Sequence, residues 1–210
     1  MTDVIPGILT DSLAEAQEKL KKLEGLCNLV HIDIVDGRFV PNLTIQAADI
    51  AKLETKIPFN LHLMIYTENN QIFPFVKTAA SGLIFYPRTT SNPESAISII
   101  KTQGKKAGIA LDPDDSAEVY DSLLSQVDFV LVLGVRPGFI GQKFIPQVLS
   151  KISQIKEIQP NLSVGVDGGI NPQTAKMAAT AGADFVVSSS FIWESENLAT
   201  AIEILKKEIG

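Results

Sequence analysis

Short apolar runs recur along the chain, each followed by a polar or Gly/Pro turn and then a longer stretch with helical spacing. The runs predict strands from Val4 to Leu9, Leu29 to Ile34, Phe59 to Met64, Leu83 to Phe85, Ala107 to Leu111, Phe129 to Leu133, Ser163 to Asp167 and Phe185 to Ser188, about eight in all. The intervening stretches predict helices from Ser12 to Leu23, Gln71 to Ala80, Pro93 to Gln103, Ser116 to Leu124, Pro146 to Ile158, Pro172 to Ala181 and Asn197 to Ile209. Several open with a proline or a capping Ser, Asp or Asn, as at Asp11-Ser12 and Asn171-Pro172.

Alternating units of this kind build a parallel sheet, which either closes as a barrel or stays open and doubly wound; periodicity alone does not decide. At 210 residues, with no low-complexity linker or shift in composition, the chain is expected to form one domain over residues 1–210. That length suits a (β/α)8 barrel of parallel strands. No apolar stretch approaches the roughly 18 residues that span a bilayer, so no membrane partner is expected. The amino terminus has no basic segment followed by an apolar run, which makes the cytoplasm the expected compartment. The single cysteine, Cys27, cannot form an intramolecular disulfide and reads as packing. A net charge of −6 disfavours nucleic acid as a partner and leaves a small phosphate open.

The candidate chemistry lies at the ends of three strands: Leu29-Val30-His31-Ile32-Asp33, Phe59-Asn60-Leu61-His62 and Val164-Gly165-Val166-Asp167. These segments contain both histidines of the chain. Residues two apart on a strand share a face, so His31 and Asp33 address one interior point. An isolated His or Asp is usually satisfied by local hydrogen bonds, but His31, Asp33, His62 and Asp167 at equivalent strand positions point to one divalent-metal site. A barrel brings the carboxyl ends of strands two, three and seven to one mouth, whereas an open sheet separates them. Imidazole and carboxylate donors suit Zn, Mn, Fe or Co without choosing among them.

The segment from His31 to Thr44, His-Ile-Asp-Ile-Val-Asp-Gly-Arg-Phe-Val-Pro-Asn-Leu-Thr, resembles the signature of ribulose-phosphate 3-epimerases. So do His62-Leu63-Met64, the glycine-rich stretch from Pro137 to Phe144, and Val166-Asp167-Gly168-Gly169, in the same order. The resemblance runs from Pro6 to Ser190. It implies a (β/α)8 barrel, a divalent metal with zinc as the first choice, and epimerisation at C3 of a pentulose 5-phosphate, D-ribulose to D-xylulose. It further implies that Asp33 and Asp167 are the acid/base pair as well as metal ligands, with His62 close to substrate. Inversion needs a base on one face of the carbon and an acid on the other, and such a pair can share one proton. Phosphate is expected against Gly138 and Gly141, against Gly168 and Gly169, and at the Ser189-Ser190 turn, where backbone amides can approach an anion.

Several positions depart from the family's pattern. Gly7 replaces a serine, removing a hydroxyl expected near substrate; Val35 and Leu133 replace methionines, removing flexible sulfur. Tyr86 and Arg88 stand where a histidine and an acid are usual, and a loop arginine such as Arg88 is ordinarily solvated. Ile140 and Ser189 put side chains where the family has glycine, which narrows the expected anion cradle. Asp36 faces away from Asp33 if the strand persists and reads as a turn residue. Two other readings stay open: an epimerase of another ketose phosphate, such as a hexulose 6-phosphate, and a non-catalytic barrel that binds a sugar phosphate. No lysine falls late in a predicted strand, which argues against a Schiff-base lyase. Trp193, Phe73 and Phe75 are candidate contacts for a homo-oligomer, with ordinary packing as the simpler account.

Overall fold

Successive residues along each strand alternate between two apolar environments. Val4 and Ile8 face one cluster with Val30, Ile32 and Leu61, while Ile5 faces another with Val35, Met64, Leu131 and Val187. Strands buried on both faces have to read as nearly continuous apolar runs, as these do. The structure is a computed structural model, described over residues 2–67, 71–137 and 142–210. Its strands are β1 (Asp3–Ile8), β2 (Val30–Val35), β3 (Phe59–Met64), β4 (Gly82–Phe85), β5 (Lys106–Leu111), β6 (Phe129–Leu133), β7 (Ser163–Asp167) and β8 (Phe185–Ser188). Each pairs in parallel with the next and β8 pairs with β1, closing a (β/α)8 barrel.

The helices α1 (Leu13–Leu23), α2 (Ala47–Ile50), α3 (Phe73–Val76), α4 (Pro93–Thr102), α5 (Asp121–Leu124), α6 (Leu149–Ile158), α7 (Pro172–Thr180), α8 (Ser190–Trp193) and α9 (Leu198–Ile209) cover the outside. Side chains of Ser12, Asn92, Asn171 and Asn197 cap α1, α4, α7 and α9 by accepting from first-turn N–H groups. The long helix expected from Gln71 to Ala80 is reduced to the single turn α3. Thr78 donates its hydroxyl to the Phe75 carbonyl at 2.7 Å, and Lys105 takes the carbonyls of Thr78 and Ala80 at 2.8 and 2.6 Å, so those acceptors are lost to helix continuation. The stretches expected from Ser116 and from Pro146 each begin as a 3-10 turn, over Ala117–Tyr120 and Pro146–Val148, before α5 and α6. One-turn α2 and α8 are too short to display a helical period in the sequence.

The barrel is closed at its amino-terminal end by Phe129 and Phe185, whose rings meet edge to face with centroids 6.2 Å apart. They fit because the strands beside them carry glycine: a Cβ on Gly108 would meet the Phe129 ring at 2.5 Å, and one on Gly165 would overlap the Phe185 ring. Gly165→Val is therefore expected to destabilise the fold by about 3 kcal/mol through overpacking. This corresponds to a Tm lowered by roughly 9 °C for a chain of this size. Thermal unfolding followed by circular dichroism checks this; an unchanged Tm would mean that the Phe185 ring can leave the floor at no cost.

Candidate functional site

At the opposite, carboxyl-terminal mouth the inward positions of three strands become polar. Register places Asp33 of β2 directly opposite His62 of β3, Gly7 of β1 opposite His31, and Leu133 of β6 opposite Asp167 at the end of β7. His31, Asp33 and His62 are buried and Asp167 is nearly so, its side chain 13% exposed. His31 Nε2 and His62 Nδ1 both point at Asp33 Oδ1, at 3.1 and 3.0 Å, and lie 3.7 and 3.9 Å from Asp167 Oδ2. One donor atom from each of the four residues can be chosen so that all lie within 4.8 Å of one another.

That cluster fits a metal ion. Donors held at about 2.1 Å from a tetrahedral ion stand roughly 3.4 Å apart, close to the spacings present here. Two neutral imidazoles with two carboxylates also balance a dication, whereas without an ion two buried acids crowd one small volume. The proton affinities reflect the crowding. Burial raises the Asp167 carboxyl to about 7, with the neighbouring Asp33 charge adding to the shift against the pull of His31. Burial also works against ionised Asp33, but hydrogen bonds and charge from His31 and His62 outweigh it and hold that carboxyl well below its ordinary range. His62 is pushed down by burial, and His31 is drawn up by Asp33 and Asp167 despite its burial.

On its other side His62 meets a partner whose contact is not among the expectations drawn from the sequence. Tyr86, completely buried, places its hydroxyl 3.2 Å from His62 Nε2. Its ring lies against Phe39, with centroids 4.7 Å apart, and Arg88 stacks over both at 4.8 and 5.2 Å while pairing with Asp112 at the end of β5. Arg88 is thus an exposed residue, as expected, that also roofs an aromatic wall. Inward parity from Ile84 carries the signal for Tyr86, since residues two apart on β4 share a face. A ligating histidine is oriented by the bond at its second nitrogen, so Tyr86→Phe is expected to weaken metal affinity about tenfold with little change in Tm. Titration of the metal-free protein tests this; unchanged affinity would reduce Tyr86 to a space-filling ring.

The cavity that includes Asp33, His62 and Asp167 is also lined by Gly168, Gly169, Ser189 and Ser190. Gly168 and Gly169 have φ of 97° and 69°, a conformation that favours glycine, and a Cβ on Gly169 would stand 2.9 Å from the Phe144 backbone nitrogen. Gly138, Phe139, Ile140 and Gly141 lie outside the described residues. Arg136, unremarked in the sequence pattern, lines the same cavity and pairs with Asp114. Met64 and Leu133 supply its apolar wall, so a methionine sulfur is retained there despite the two exchanges at Val35 and Leu133.

Asp36, Cys27 and Trp193 have structural roles within the chain. Asp36 accepts from the backbone N–H groups of Arg38 and Phe39 at 2.9 and 3.0 Å, a turn residue. Burial pushes the Cys27 thiol up to about 11, consistent with packing rather than nucleophilic work. Trp193 donates its indole N–H to the Gly7 carbonyl at 2.6 Å, and Phe75 is buried while Phe73 is largely exposed. Among the described residues no helix is long and apolar enough to cross a membrane.

Comparison with known proteins agrees with this arrangement. Residues 3–193 match the model of the Ribulose-phosphate 3 epimerase family. The chain is 35% identical to ribulose-phosphate 3-epimerase of Mycobacterium bovis, over 99% of this chain and 93% of that one. It is likewise 35% identical to the Bacillus subtilis ribulose-phosphate 3-epimerase, over 98% and 99%. Among solved structures, orotidine 5'-monophosphate decarboxylase of Methanocaldococcus jannaschii superposes with a TM-score of 0.69 at 14% identity, covering 100% of this chain and 99% of that one, a likeness of fold alone. With the family model spanning most of its length and relatives above 30% identity over nearly all of it, this chain belongs to the ribulose-phosphate 3-epimerase family.

Proposed function

We propose that this chain interconverts D-ribulose 5-phosphate and D-xylulose 5-phosphate, inverting C3 by proton transfer between two carboxylates. The observation that carries the reading is the convergence of Asp33 and Asp167, from strands on different sides of the mouth, on the same buried histidine pair. His31, Asp33, His62 and Asp167 would hold one divalent ion, zinc by resemblance, with Mn, Fe or Co compatible with the same donors. When bound, such an ion supplies Lewis-acid stabilisation to negative charge developing on substrate oxygen.

The residues themselves handle the proton. One carboxylate takes the proton from C3, and the electron pair of the broken C–H bond delocalises towards the C2 carbonyl as an enediolate. The other carboxyl then gives its proton to the opposite face of C3, and the pair exchanges roles for the reverse reaction. In the metal-free chain burial pushes the Asp167 carboxyl up while His31 and His62 hold Asp33 down, so Asp167 is the acid of the pair that keeps its proton to the higher pH. Met64, Leu133 and Val187 form an apolar side of the cavity, which would limit water beside the reacting carbon and so protect a carbanionic intermediate. Gly168, Gly169, Ser189 and Ser190 are proposed to receive the phosphate, together with Gly138 and Gly141. A relative from Oryza sativa is named as a cytoplasmic isoform, and the cytoplasm is proposed for this chain as well.

A coupled assay following ribulose 5-phosphate to xylulose 5-phosphate on purified metal-loaded protein tests the reading. Turnover in both directions is expected. Turnover of a hexulose 6-phosphate in its place would move the substrate assignment while keeping the reaction, and absence of turnover on either would leave a binding barrel.

A further inference from the structure

Among the described residues, four inward-facing glycines leave room for a side chain from a neighbouring strand or its end, Gly82 admitting Asn60 among them. Gly108 and Gly165 admit Phe129 and Phe185, which meet each other in the floor. Gly7 admits Ser189: the position of a Cβ on Gly7 is overlapped by Ser189 Oγ, with Val187 Cγ1 at 3.2 Å. Unlike the two rings, this hydroxyl has no hydrogen-bond partner among the described residues. Ser189 sits at the cap of α8, where its carbonyl accepts from Ile192 and Trp193 at 3.1 and 3.0 Å, but its side chain takes no part in the cap.

The surroundings fix the turn that carries the hydroxyl. The Trp193 indole ties the α8 turn to β1 through the Gly7 carbonyl at 2.6 Å, and the Lys19 ammonium lies over that indole at 5.1 Å. Along β8, Phe185 and Val187 face inward, and Ser189 continues the alternation into the cavity shared with Asp33, His62 and Asp167. The hydroxyl leans towards β1, over Gly7, whose strand partner is His31. A serine hydroxyl both donates and accepts, which matches a sugar hydroxyl.

We propose that the Ser189 hydroxyl hydrogen-bonds a hydroxyl on the carbon chain of the substrate, beside the His31 face of the cluster, and that Gly7 is the residue that makes room for it. This rests on the ketose-phosphate reading above and deepens it, separating the side chain of Ser189 from the phosphate contacts. A site that pairs with a substrate hydroxyl discriminates against analogues lacking it, so Ser189 is a specificity-determining residue.

The test compares metal-loaded wild type with Ser189→Ala, Gly7→Ser and the double variant Gly7→Ser/Ser189→Ala. For each, kcat, KM, Tm and competitive inhibition by inorganic phosphate are measured. Ser189→Ala is expected to lower kcat/KM about tenfold, in line with loss of one hydrogen bond, with Tm and phosphate inhibition unchanged. Gly7→Ser forces the Ser189 hydroxyl to rotate away and lowers kcat/KM similarly. In the double variant the hydroxyl introduced at position 7 enters the vacated space, and kcat/KM recovers relative to Gly7→Ser alone. Unchanged kcat/KM in Ser189→Ala overturns the proposal, as does a parallel loss of phosphate inhibition, which would make Ser189 a phosphate ligand. A double variant no better than Gly7→Ser overturns the pairing of the two positions. Wild type without turnover removes the functional reading and this inference together, whereas turnover by wild type and Ser189→Ala alike removes this inference only.

Discussion

Asp167→Asn lowers kcat by roughly a thousandfold, the scale of general acid/base catalysis, while leaving the barrel folded. The amide matches the carboxyl in shape but can neither store nor return the proton, and it is a poorer metal donor than the carboxylate. Because the lost function is exercised as C3 changes hands, kcat and kcat/KM are expected to fall together rather than KM rising alone. Stability should move the other way. The folded-state pKa of Asp167 is raised from 3.8 to about 7, so the metal-free fold is favoured while the group is protonated and loses that advantage as pH rises from near 3.8 through about 7. An asparagine has no such dependence, and metal-free Asp167→Asn is expected to match or exceed metal-free wild type in Tm at pH 8. Thermal melts of both proteins across this range, beside steady-state kinetics, make the comparison. Substantial turnover by the variant would remove Asp167 from the acid/base pair.

Removal of the metal should be equally severe and, unlike the substitution, reversible. Protein stripped by a chelator is expected to fall to background turnover and to recover when Zn, Mn, Fe or Co is added singly. His31, Asp33, His62 and Asp167 then compete for protons as well as for the ion. Loading requires neutral imidazole nitrogens and ionised carboxylates, so protons are released and apparent affinity rises as pH increases through about 7. His62 can meet this requirement by shifting its remaining proton to Nε2, where the Tyr86 hydroxyl is 3.2 Å away to accept it. Calorimetric titration in buffers of differing ionisation enthalpy counts the protons, and elemental analysis establishes that the stripped protein is metal-free. Full turnover by such metal-free protein would exclude a metal role.

Much of this architecture is legible along the chain. The predicted Phe59, Phe129, Ser163 and Phe185 strands keep their bounds in the structure, and the others shift by a residue or so, because strands buried on both faces leave uninterrupted apolar runs between turn residues. Strand alternation alone puts His31 and Asp33 on one face, and the placing of His62 and Asp167 at strand ends suffices to suggest a shared centre. What alternation cannot carry is which strand lies beside which and at what height. Closure of β8 onto β1, the level of Asp33 against His62, and the overlap of Ser189 with the space at Gly7 are long-range facts of register and barrel shear. The same holds for the Tyr86 contact to His62, the Arg88 roof and the Trp193 tie, each made between residues distant in sequence and near in space. Local chemistry along the chain therefore determined the strands, their inward faces and the ligand types. Only the closed barrel decided the distances among those ligands and the partners that orient them, because hydrogen bonds between strands set the geometry of residues that the chain keeps far apart.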